Sequence, residues 1–286
     1  MTSTLRPPVT PPVALSIAGT DSGGGAGIAA DLRTFAVHRV FGTLAVTAVT
    51  AQDTTGVHGV VVIPPEFVSE QIDAAMGDFP VLAAKTGMLA TLATLEMVLG
   101  RASTGRLPPL VVDPVMVATS GAQLFETDAQ LAYRRLLPFA LVVTPNLAEA
   151  SLLAGRDIND RASMADAARA LVDLGATVAL VTGGHLQGPQ SVDVAFDGSQ
   201  VIELVDEMVI SKNVHGTGCT LSAAITANLA LGLDPIGAIV AAKHYLSGVI
   251  RASASWSLGE GPGPLDHMGT TTAPRNPDPG TLTSET

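Results

Sequence analysis

Short apolar runs rich in β-branched residues alternate with helical patterns along most of this chain, and no other feature limits its possible folds as much. The alternation predicts strands at 13–18, 42–49, 81–86, 110–113, 141–144 and 177–182, and helices at 25–37, 65–77, 91–100, 217–231 and 235–252. Strands separated by helices need crossover connections, and these are almost always right-handed. The sequence therefore predicts an α/β fold in which helices cover both faces of a central, mostly parallel sheet.

Four further elements, two strands and two helices, are predicted from local signals. An antiparallel strand pair is predicted at 192–196 and 201–205, because an Asp-Gly dipeptide typical of tight hairpin turns lies between the two runs. Thr127 and Ser163 each begin a capping pattern, with Gln or Asp three residues later, so a helix is predicted after each of them.

The composition indicates one large globular domain. Of the 286 residues, 47% are hydrophobic, which is enough for a sizeable core. Neither a repeat nor a linker is evident, so a single domain is predicted at 13–269. The proline-rich segment 1–12 and the polar segment 270–286 are both predicted to be disordered.

Charge and cysteine content exclude several functional classes. A net charge of −11 argues against nucleic-acid binding, which needs a basic face. The single cysteine excludes an intrachain disulfide, and no leader-like segment or apolar run of bilayer length is evident. A cytoplasmic location without membrane contact is therefore expected. Any phosphate must be bound locally, by aimed amides, a few cations or a metal ion.

A glycine loop, His215-Gly216-Thr217-Gly218-Cys219, leads into the predicted helix at 217–231. The first turn of a helix has unpaired N–H groups and a partial positive charge, so this loop can hold phosphate. The same field is expected to favour the thiolate of Cys219, which makes it a candidate for chemistry. The alternatives are plain turn geometry for the glycines and a small buried apolar role for the cysteine.

Polar residues after the first two strands are the next candidates, because ligands of parallel sheets bind beyond the carboxyl ends of the strands. The glycine-rich segment 18–27 misses the dinucleotide fingerprint, since Ala30 stands where its last glycine would be, and a substrate loop is the better interpretation. Asp31 is either a carboxylate on the protein surface or a hydrogen-bond acceptor that faces a pocket. Its position in the predicted helix, taken alone, favours the surface. Gln52 could read the edge of an aminated heteroaromatic base or belong to an ordinary polar loop.

Polar residues at three later strand ends suggest a metal site. Asp113 follows a buried strand, so its carboxylate needs a polar or charged partner. That partner is either a magnesium-phosphate cluster or the N–H groups of a helix or turn that Asp113 caps. Lys85 could pair with Asp113 or face phosphate. Asn146 and Glu149 form either a capping box or, together with Asp113, a water-mediated Mg²⁺ site.

Seven segments in a consistent order carry a specific resemblance: AGTDSGGGAG, AQDTTGV, KTGM, DPVM, TPNLAEA, TGGH and HGTGCTLSAA. They span nearly all of 13–269 and resemble the ribokinase-like superfamily, and within it the hydroxymethylpyrimidine and phosphomethylpyrimidine kinases of thiamine biosynthesis. The resemblance implies a three-layer α/β/α fold and two successive phosphoryl transfers from ATP. The alcohol is converted first to the monophosphate and then to the diphosphate.

The resemblance also implies roles for individual residues. The positions that match a pyrimidine pocket are Gly19, Asp31, Gln52 and Met88. Those that match a magnesium and phosphate cluster are Asp113, Asn146 and Glu149. Those that match an anion hole are Gly216, Gly218 and Cys219, with the amide of Thr217 between them. Thr182 and Gly183 match a strand end beside the nucleotide. Several relatives have lysine in place of Thr182, and Lys212 is the candidate to compensate for its absence.

The resemblance leads to a hypothesis about mechanism, with two alternatives. Cys219, which stands where most of the superfamily has aspartate, is expected to orient and deprotonate the hydroxymethyl group. The loop amides and Mg²⁺ would neutralise charge on the γ-phosphate. A homodimer is implied by the family alone. The alternatives are a pyridoxal or pyridoxine kinase of the same superfamily and a nucleotide-binding regulator without turnover.

Overall fold

The computed structural model of the chain describes residues 10–116, 127–184 and 188–269. The predictions of disorder at 1–12 and 270–286 lie outside these residues except for 10–12. The predicted cap at Thr127 also falls outside, because the structure describes the backbone of that helix start but not its side chains. In the part of the chain that the structure describes, no helix combines the length and the apolar character needed to cross a membrane.

An eight-stranded sheet with the order β10-β9-β8-β7-β6-β5-β1-β2 forms the centre of the molecule. Its strands are β1 (Val13–Ala18), β2 (Phe41–Val46), β5 (Val81–Thr86), β6 (Leu110–Val112), β7 (Val142–Val143), β8 (Val178–Thr182), β9 (Gln190–Phe196) and β10 (Val201–Glu207). All neighbours from β2 to β8 are parallel, whereas β8, β9 and β10 pair antiparallel. This confirms the mostly parallel sheet and the predicted hairpin.

Helices cover both faces of this sheet, as predicted. They are α1 (Gly27–Val37), α2 (Pro65–Asp78), α3 (Leu92–Ser103), α4 (Leu147–Ala154), α5 (Arg161–Asp173), α6 (Thr217–Ala230) and α7 (Pro235–Ser253), and a 3₁₀ helix spans Thr127–Arg135. Alternate residues of the strands point to opposite faces: Leu15 packs in the core under α2 to α5, whereas Ala14 packs against α1 and α6. The result is the expected three-layer α/β/α arrangement.

The prediction of one strand at 42–49 is wrong, because the chain leaves the central sheet at Thr47. The Thr47 hydroxyl donates to the carbonyl of Met88 at 2.6 Å, and its N–H donates to Ala18 at 3.0 Å, which ends β2. The next residues form β3 (Ala48–Gln52), which pairs antiparallel with β4 (Val57–Val62) in a separate two-stranded sheet. The apolar run was long enough for two strands, and hydropathy does not show where one ends.

The predicted cap at Ser163 is also corrected. The N-cap of α5 is Asp160, whose carboxylate accepts a hydrogen bond from the Ser163 N–H at 2.8 Å, and the Ser163 hydroxyl returns to the N-cap. Asp and Ser therefore form the capping box one turn earlier than the Ser and Asp of the predicted pattern.

Candidate active site

The loop after β1 is organised by Asp21, which is buried. Its carboxylate accepts hydrogen bonds from the backbone N–H groups of Gly23, Gly25 and Ala26 at 2.8 to 3.0 Å. The same carboxylate lies 2.8 Å from Nε2 of His215, in the loop before α6. Burial alone would raise the pKa of Asp21, but the hydrogen bonds and the charge of His215 outweigh it and lower the pKa.

The two glycine loops are in direct contact. Gly216, the N-cap of α6, has a φ of +85°, and a Cβ there would lie 2.0 Å from the carbonyl oxygen of Gly25. At Gly218, in contrast, a Cβ would meet nothing within 4 Å, so the first turn of α6 is open on that side. The first turn of α6 is therefore held from behind at Gly216 and open to solvent at Gly218, whereas the N–H of Thr217 donates to the carbonyl of Val214 at 3.3 Å.

The carboxyl-terminal segment of the described chain closes against the other side of this loop. The N–H of His215 donates to the carbonyl of Gly263 at 3.1 Å, and the Thr220 hydroxyl lies 3.0 Å from Nε2 of His267. Tyr245 in α7 donates its hydroxyl to the carbonyl of His267 at 3.0 Å. The start of α6 is thus fixed by segments from both ends of the chain.

Asp31 and Lys85 form a completely buried ion pair. Lys85 Nζ lies 2.8 Å from Oδ1 of Asp31, and the hydroxyl of Ser16 donates to Oδ2 at 2.6 Å. The surface position that local reasoning favoured for Asp31 is therefore wrong, because α1 turns this residue toward the sheet. Burial alone would lower the pKa of Lys85, but the neighbouring acidic groups Asp31, Cys219 and Asp113 raise it, so the lysine stays charged.

Asp113 and Glu149 are buried neighbours at the ends of β6 and β7. Asp113 accepts a hydrogen bond from the Ser222 hydroxyl of α6 at 2.9 Å. Glu149 and Asn146 form a reciprocal capping box at α4, with two bonds of 3.0 Å, so the capping interpretation is confirmed. Burial raises the pKa of both acids, and the charge of Asp113 adds to the effect at Glu149, whose pKa is about 8.

These carboxyl groups fit a bound Mg²⁺. Two crowded oxygen donors in a desolvated site are destabilised as anions, and a divalent cation would relieve both the desolvation and the mutual repulsion. Among the residues that the structure describes, no group of three or more His, Cys, Asp or Glu side chains is placed to hold a metal. Magnesium commonly needs only one or two carboxylates, since waters and phosphate oxygens complete its shell.

Thr182 and Gly183 lie beside this pair at the end of β8. The N–H of Thr182 donates to the carbonyl of Pro145 at 2.9 Å, and Thr182 forms a parallel bridge with Asn146. The end of β8, which was predicted to lie beside the nucleotide, is therefore bonded directly to the segment that carries Asn146 of the predicted magnesium cluster. Lys212 is exposed and has no ion pair among the described residues.

The sulfur of Cys219 belongs to the same cluster, but the expected thiolate is not supported. Cys219 keeps some accessible surface, yet desolvation raises the pKa of its thiol to about 12. Lys85 and the backbone N–H of Gly27 lower this pKa, whereas Asp31 and Asp113 raise it further. In the ligand-free protein the helix start therefore does not ionise the sulfur, because two nearby carboxyl groups and burial oppose it.

The predicted pyrimidine-pocket residues come from separate elements. Met88 packs directly over Gly19, where a Cβ would lie 2.2 Å from the methionine methyl group. Gln52 is half-buried at the end of β3, and its backbone exchanges hydrogen bonds of 2.6 and 2.7 Å with the hydroxyl of Ser22. The Ser22 hydroxyl thus joins the small sheet to the loop that Asp21 organises.

A cavity of about 490 Å³ lies elsewhere, between β10 and α7. Asp206, His244 and Arg251 are among its lining residues, and none of the predicted site residues lines it.

Comparisons with known proteins agree with the predicted kinase class. A model of the family described as phosphomethylpyrimidine kinase matches residues 21–266. The chain is 49% identical over 259 residues to the hydroxymethylpyrimidine/phosphomethylpyrimidine kinase of Synechococcus elongatus, covering 90% of this chain and 97% of that protein. An ADP complex of Bacillus subtilis pyridoxal kinase is similar with a TM-score of 0.83 at 37% identity, covering 91% and 98%. Phosphomethylpyrimidine kinase from Clostridium difficile gives 0.73 at 36%, covering 83% and 99%.

Proposed function

Because this chain belongs to the phosphomethylpyrimidine kinase family, we infer that it is a hydroxymethylpyrimidine/phosphomethylpyrimidine kinase of thiamine biosynthesis. It transfers a phosphoryl group from ATP to 4-amino-5-hydroxymethyl-2-methylpyrimidine and then phosphorylates the monophosphate to the diphosphate. The three-layer fold is that of the ribokinase-like kinases.

One observation carries the assignment of the site. Lys85 in β5 contacts Asp31 in α1, and Asp113 after β6 and Cys219 at the start of α6 are near enough to interact electrostatically with this lysine, so the four residues form one buried cluster. The cluster lies where ligands bind in parallel α/β sheets, beyond the carboxyl ends of the strands. A phosphate donor and an alcohol acceptor meeting there would face a lysine cation and the open amides of α6.

The amides at Gly216, Thr217, Gly218 and Cys219 form the anion hole for the transferred phosphoryl group. They lie in a first helical turn that is held from behind by Gly25, so no reorganisation is needed as charge develops. Lys85 adds a buried positive charge on the same side. In a loose transition state, positioning and charge neutralisation do most of the catalytic work.

Cys219 orients the hydroxymethyl oxygen as a neutral thiol. The alcohol proton needs to leave only late in a loose transition state, when it passes to an oxygen of the transferred phosphoryl group, so the acceptor can react without prior deprotonation. This replaces the thiolate base that the sequence suggested, since burial keeps the sulfur protonated in the ligand-free protein. Removing the sulfur should therefore affect turnover more than nucleotide binding.

The pyrimidine binds between the loop after β1 and the small sheet. Gln52 reads the aminopyrimidine edge, because its amide both donates and accepts in one plane. Gly19 and Met88 supply an apolar contact surface, and Asp31, fixed by Lys85 and Ser16, accepts a hydrogen bond from the ring substituents.

Asp113 and Glu149 would hold Mg²⁺, with Asn146, Thr182 and Gly183 beside the nucleotide. Bound Mg²⁺ supplies charge neutralisation for the donor phosphates. Lys212, which is exposed on the chain just before the glycine loop, is free to approach the donor. A cytoplasmic homodimer completes the proposal and rests on the family resemblance.

The direct test is product identification. The protein is incubated with magnesium ATP and either hydroxymethylpyrimidine, its monophosphate or pyridoxal, and the phosphorylated products are separated. We expect the monophosphate and then the diphosphate of the pyrimidine. Formation of pyridoxal phosphate alone would support a pyridoxal kinase instead, and nucleotide binding without any phosphorylated product would support a regulator.

A further inference from the structure

A second buried ion pair lies outside the cluster described above. Lys243 in α7 places Nζ 2.8 Å from Oδ2 of Asp193 in β9 and 2.9 Å from the hydroxyl of Ser191. The two charged side chains are only 10% and 5% exposed. Desolvation of such a pair costs about as much free energy as its attraction returns, so stability alone gives a weak reason for it.

The second carboxylate oxygen of Asp193 holds the backbone at the end of β8. Its Oδ1 accepts a hydrogen bond of 2.9 Å from the N–H of Gly183, just beyond the register pair Thr182 and Asp193. A Cβ on Gly183 would lie 2.2 Å from the carbonyl of Val192 and 2.7 Å from the methyl group of Met164. Gly183 is therefore fixed by Asp193 on one side and by close packing on another.

This fixed glycine is joined to the phosphate side of the site. Thr182, the preceding residue, bonds to Pro145 and bridges Asn146, whose side chain caps α4 together with Glu149. A shift of the Gly183 backbone would therefore be transmitted to Asn146 and Glu149, beside the proposed Mg²⁺ site. The ion pair lies behind this strand end and does not itself contribute to the cluster at Cys219.

We propose that Lys243 and Asp193 are positioning residues for the nucleotide. Lys243 fixes the Asp193 carboxylate, and Asp193 holds the Gly183 N–H, so that the strand end at 182–183 keeps the shape that contacts ATP. This inference rests on the nucleotide role proposed above for Thr182 and Gly183. If Lys243 is removed, the Asp193 carboxylate stays buried but loses its cation. It therefore turns away from the Gly183 N–H.

The test compares Lys243→Met, Asp193→Ala and the double variant Lys243→Met/Asp193→Asn. For each, KM is measured separately for ATP and for hydroxymethylpyrimidine, and the Kd of a nonhydrolysable ATP analogue is measured by calorimetry. Loss of one buried hydrogen bond should raise the KM and Kd for nucleotide about tenfold in both single variants. The KM for the pyrimidine should stay within about twofold, and the double variant should recover most nucleotide affinity because asparagine keeps the Gly183 acceptor without a charge.

A control at an ion pair far from the nucleotide side is Arg101→Met. Arg101 in α3 is largely buried and pairs with Asp73 in α2, whose carboxylate is exposed, next to the opposite end of the sheet. This variant should lower the melting temperature and leave nucleotide affinity unchanged.

Three results would overturn the proposal: unchanged nucleotide affinity in Lys243→Met, an equal rise of both KM values, or no recovery in the double variant. If Asp193→Ala fails to fold, the comparison of Lys243→Met with the double variant still tests whether the pair positions the nucleotide. If the wild-type protein phosphorylates no pyrimidine, the proposed function fails, whereas the calorimetric arm still tests this inference.

Discussion

His215 Nε2 lies 2.8 Å from Oδ2 of Asp21, so the loop before α6 is tied to the loop after β1 by one side-chain contact. Because Asp21 also accepts three backbone hydrogen bonds within its own loop, this carboxylate determines the relative position of two segments that are 194 residues apart. The predicted acceptor pocket and the anion hole therefore depend on the same buried group.

Replacing Asp21 should destabilise the protein and weaken pyrimidine binding. Asp21→Ala leaves three loop N–H groups and His215 without their acceptor, which we expect to lower the free energy of unfolding by about 2–4 kcal/mol in urea titrations. Asp53→Ala is the control, since Asp53 also accepts N–H groups of a glycine-containing turn but is exposed, and water can replace it. Equal stability of the two variants would contradict the organising role of Asp21.

The Asp31–Lys85 pair allows stability to be separated from activity. Lys85→Met should cost roughly 3–5 kcal/mol of unfolding free energy, because it leaves a buried carboxylate unpaired. Lys85→Met/Asp31→Asn should recover most of this loss but not the turnover, since the cation near the anion hole and the charged substrate acceptor are both gone. A double variant with wild-type turnover would show that the pair is only structural.

Two neighbouring glycines should respond differently to alanine. Gly216→Ala places a Cβ 2.0 Å from the Gly25 carbonyl in a left-handed conformation, so we expect a large drop in melting temperature. Gly218→Ala meets no atom within 4 Å, so the fold should be retained while the Cβ obstructs the approach of phosphate to the amides. Retained kinase activity in Gly218→Ala would remove this turn from the proposed anion hole.

Cys219 should react slowly with alkylating reagents in the absence of ligands. Its thiol pKa of about 12 leaves little thiolate at pH 8, so iodoacetamide should modify it far more slowly than it modifies free cysteine. Mass spectrometry of timed samples measures this rate directly. Rapid modification at pH 7 would indicate a thiolate and would restore the base mechanism.

Cys219→Ser tests the orienting role in turnover. Serine keeps a hydroxyl in the first turn of α6, so the anion hole and nucleotide affinity should be nearly unchanged, whereas kcat should fall because the shorter bond and smaller atom misplace the acceptor. Steady-state kinetics with calorimetric nucleotide binding separates the two quantities. Wild-type kcat in this variant would remove Cys219 from the mechanism and leave the anion hole in place.

The pH dependence of stability should report the buried Glu149. Its pKa is raised from about 4.5 to about 8 by folding, so between these values the unfolded chain releases a proton that the folded protein keeps. The free energy of unfolding of the metal-free protein should therefore fall as pH rises through this window, by at most about 1.4 kcal/mol per pH unit. Glu149→Gln should reduce this slope to the part contributed by other buried acids such as Asp113, and Mg²⁺ should reduce it in the wild type by stabilising the carboxylates. An identical pH profile in the variant would contradict the raised pKa.

The sequence predicted the layers of the fold and the sheet edge that carries the site. Strand and helix periods are local properties, and parallel strands bring their carboxyl ends to one edge, so Asp113 and Glu149 could be placed together without coordinates. The capping box at Asn146 was also visible, because its two residues are neighbours in the chain. The metal and capping interpretations of Glu149 are compatible, since one carboxylate can serve both.

Tertiary contacts determined what the sequence alone did not show. Lys85 pairs with Asp31, 54 residues away, and no local pattern distinguishes that partner from Asp113. The thiol pKa of Cys219 is raised chiefly by burial in the folded protein, with smaller contributions from the carboxyl groups of Asp31 and Asp113. The role of Asp21 was missed because an aspartate inside a glycine-rich motif resembles a loop residue, although an acidic group among so many free amides was a signal for it.

The contacts of Gly263 and His267 with the start of α6 have a consequence for synthesis on the ribosome. His215 and Thr220 are made roughly 50 residues before their partners, so the emerging polypeptide must reach His267 before all contacts at the start of α6 can form. A nascent chain stalled before residue 258 would have every strand of the central sheet, but the start of α6 would lack its hydrogen bonds to Gly263 and His267. Catalytic competence would thus be acquired only after most of the core has been assembled.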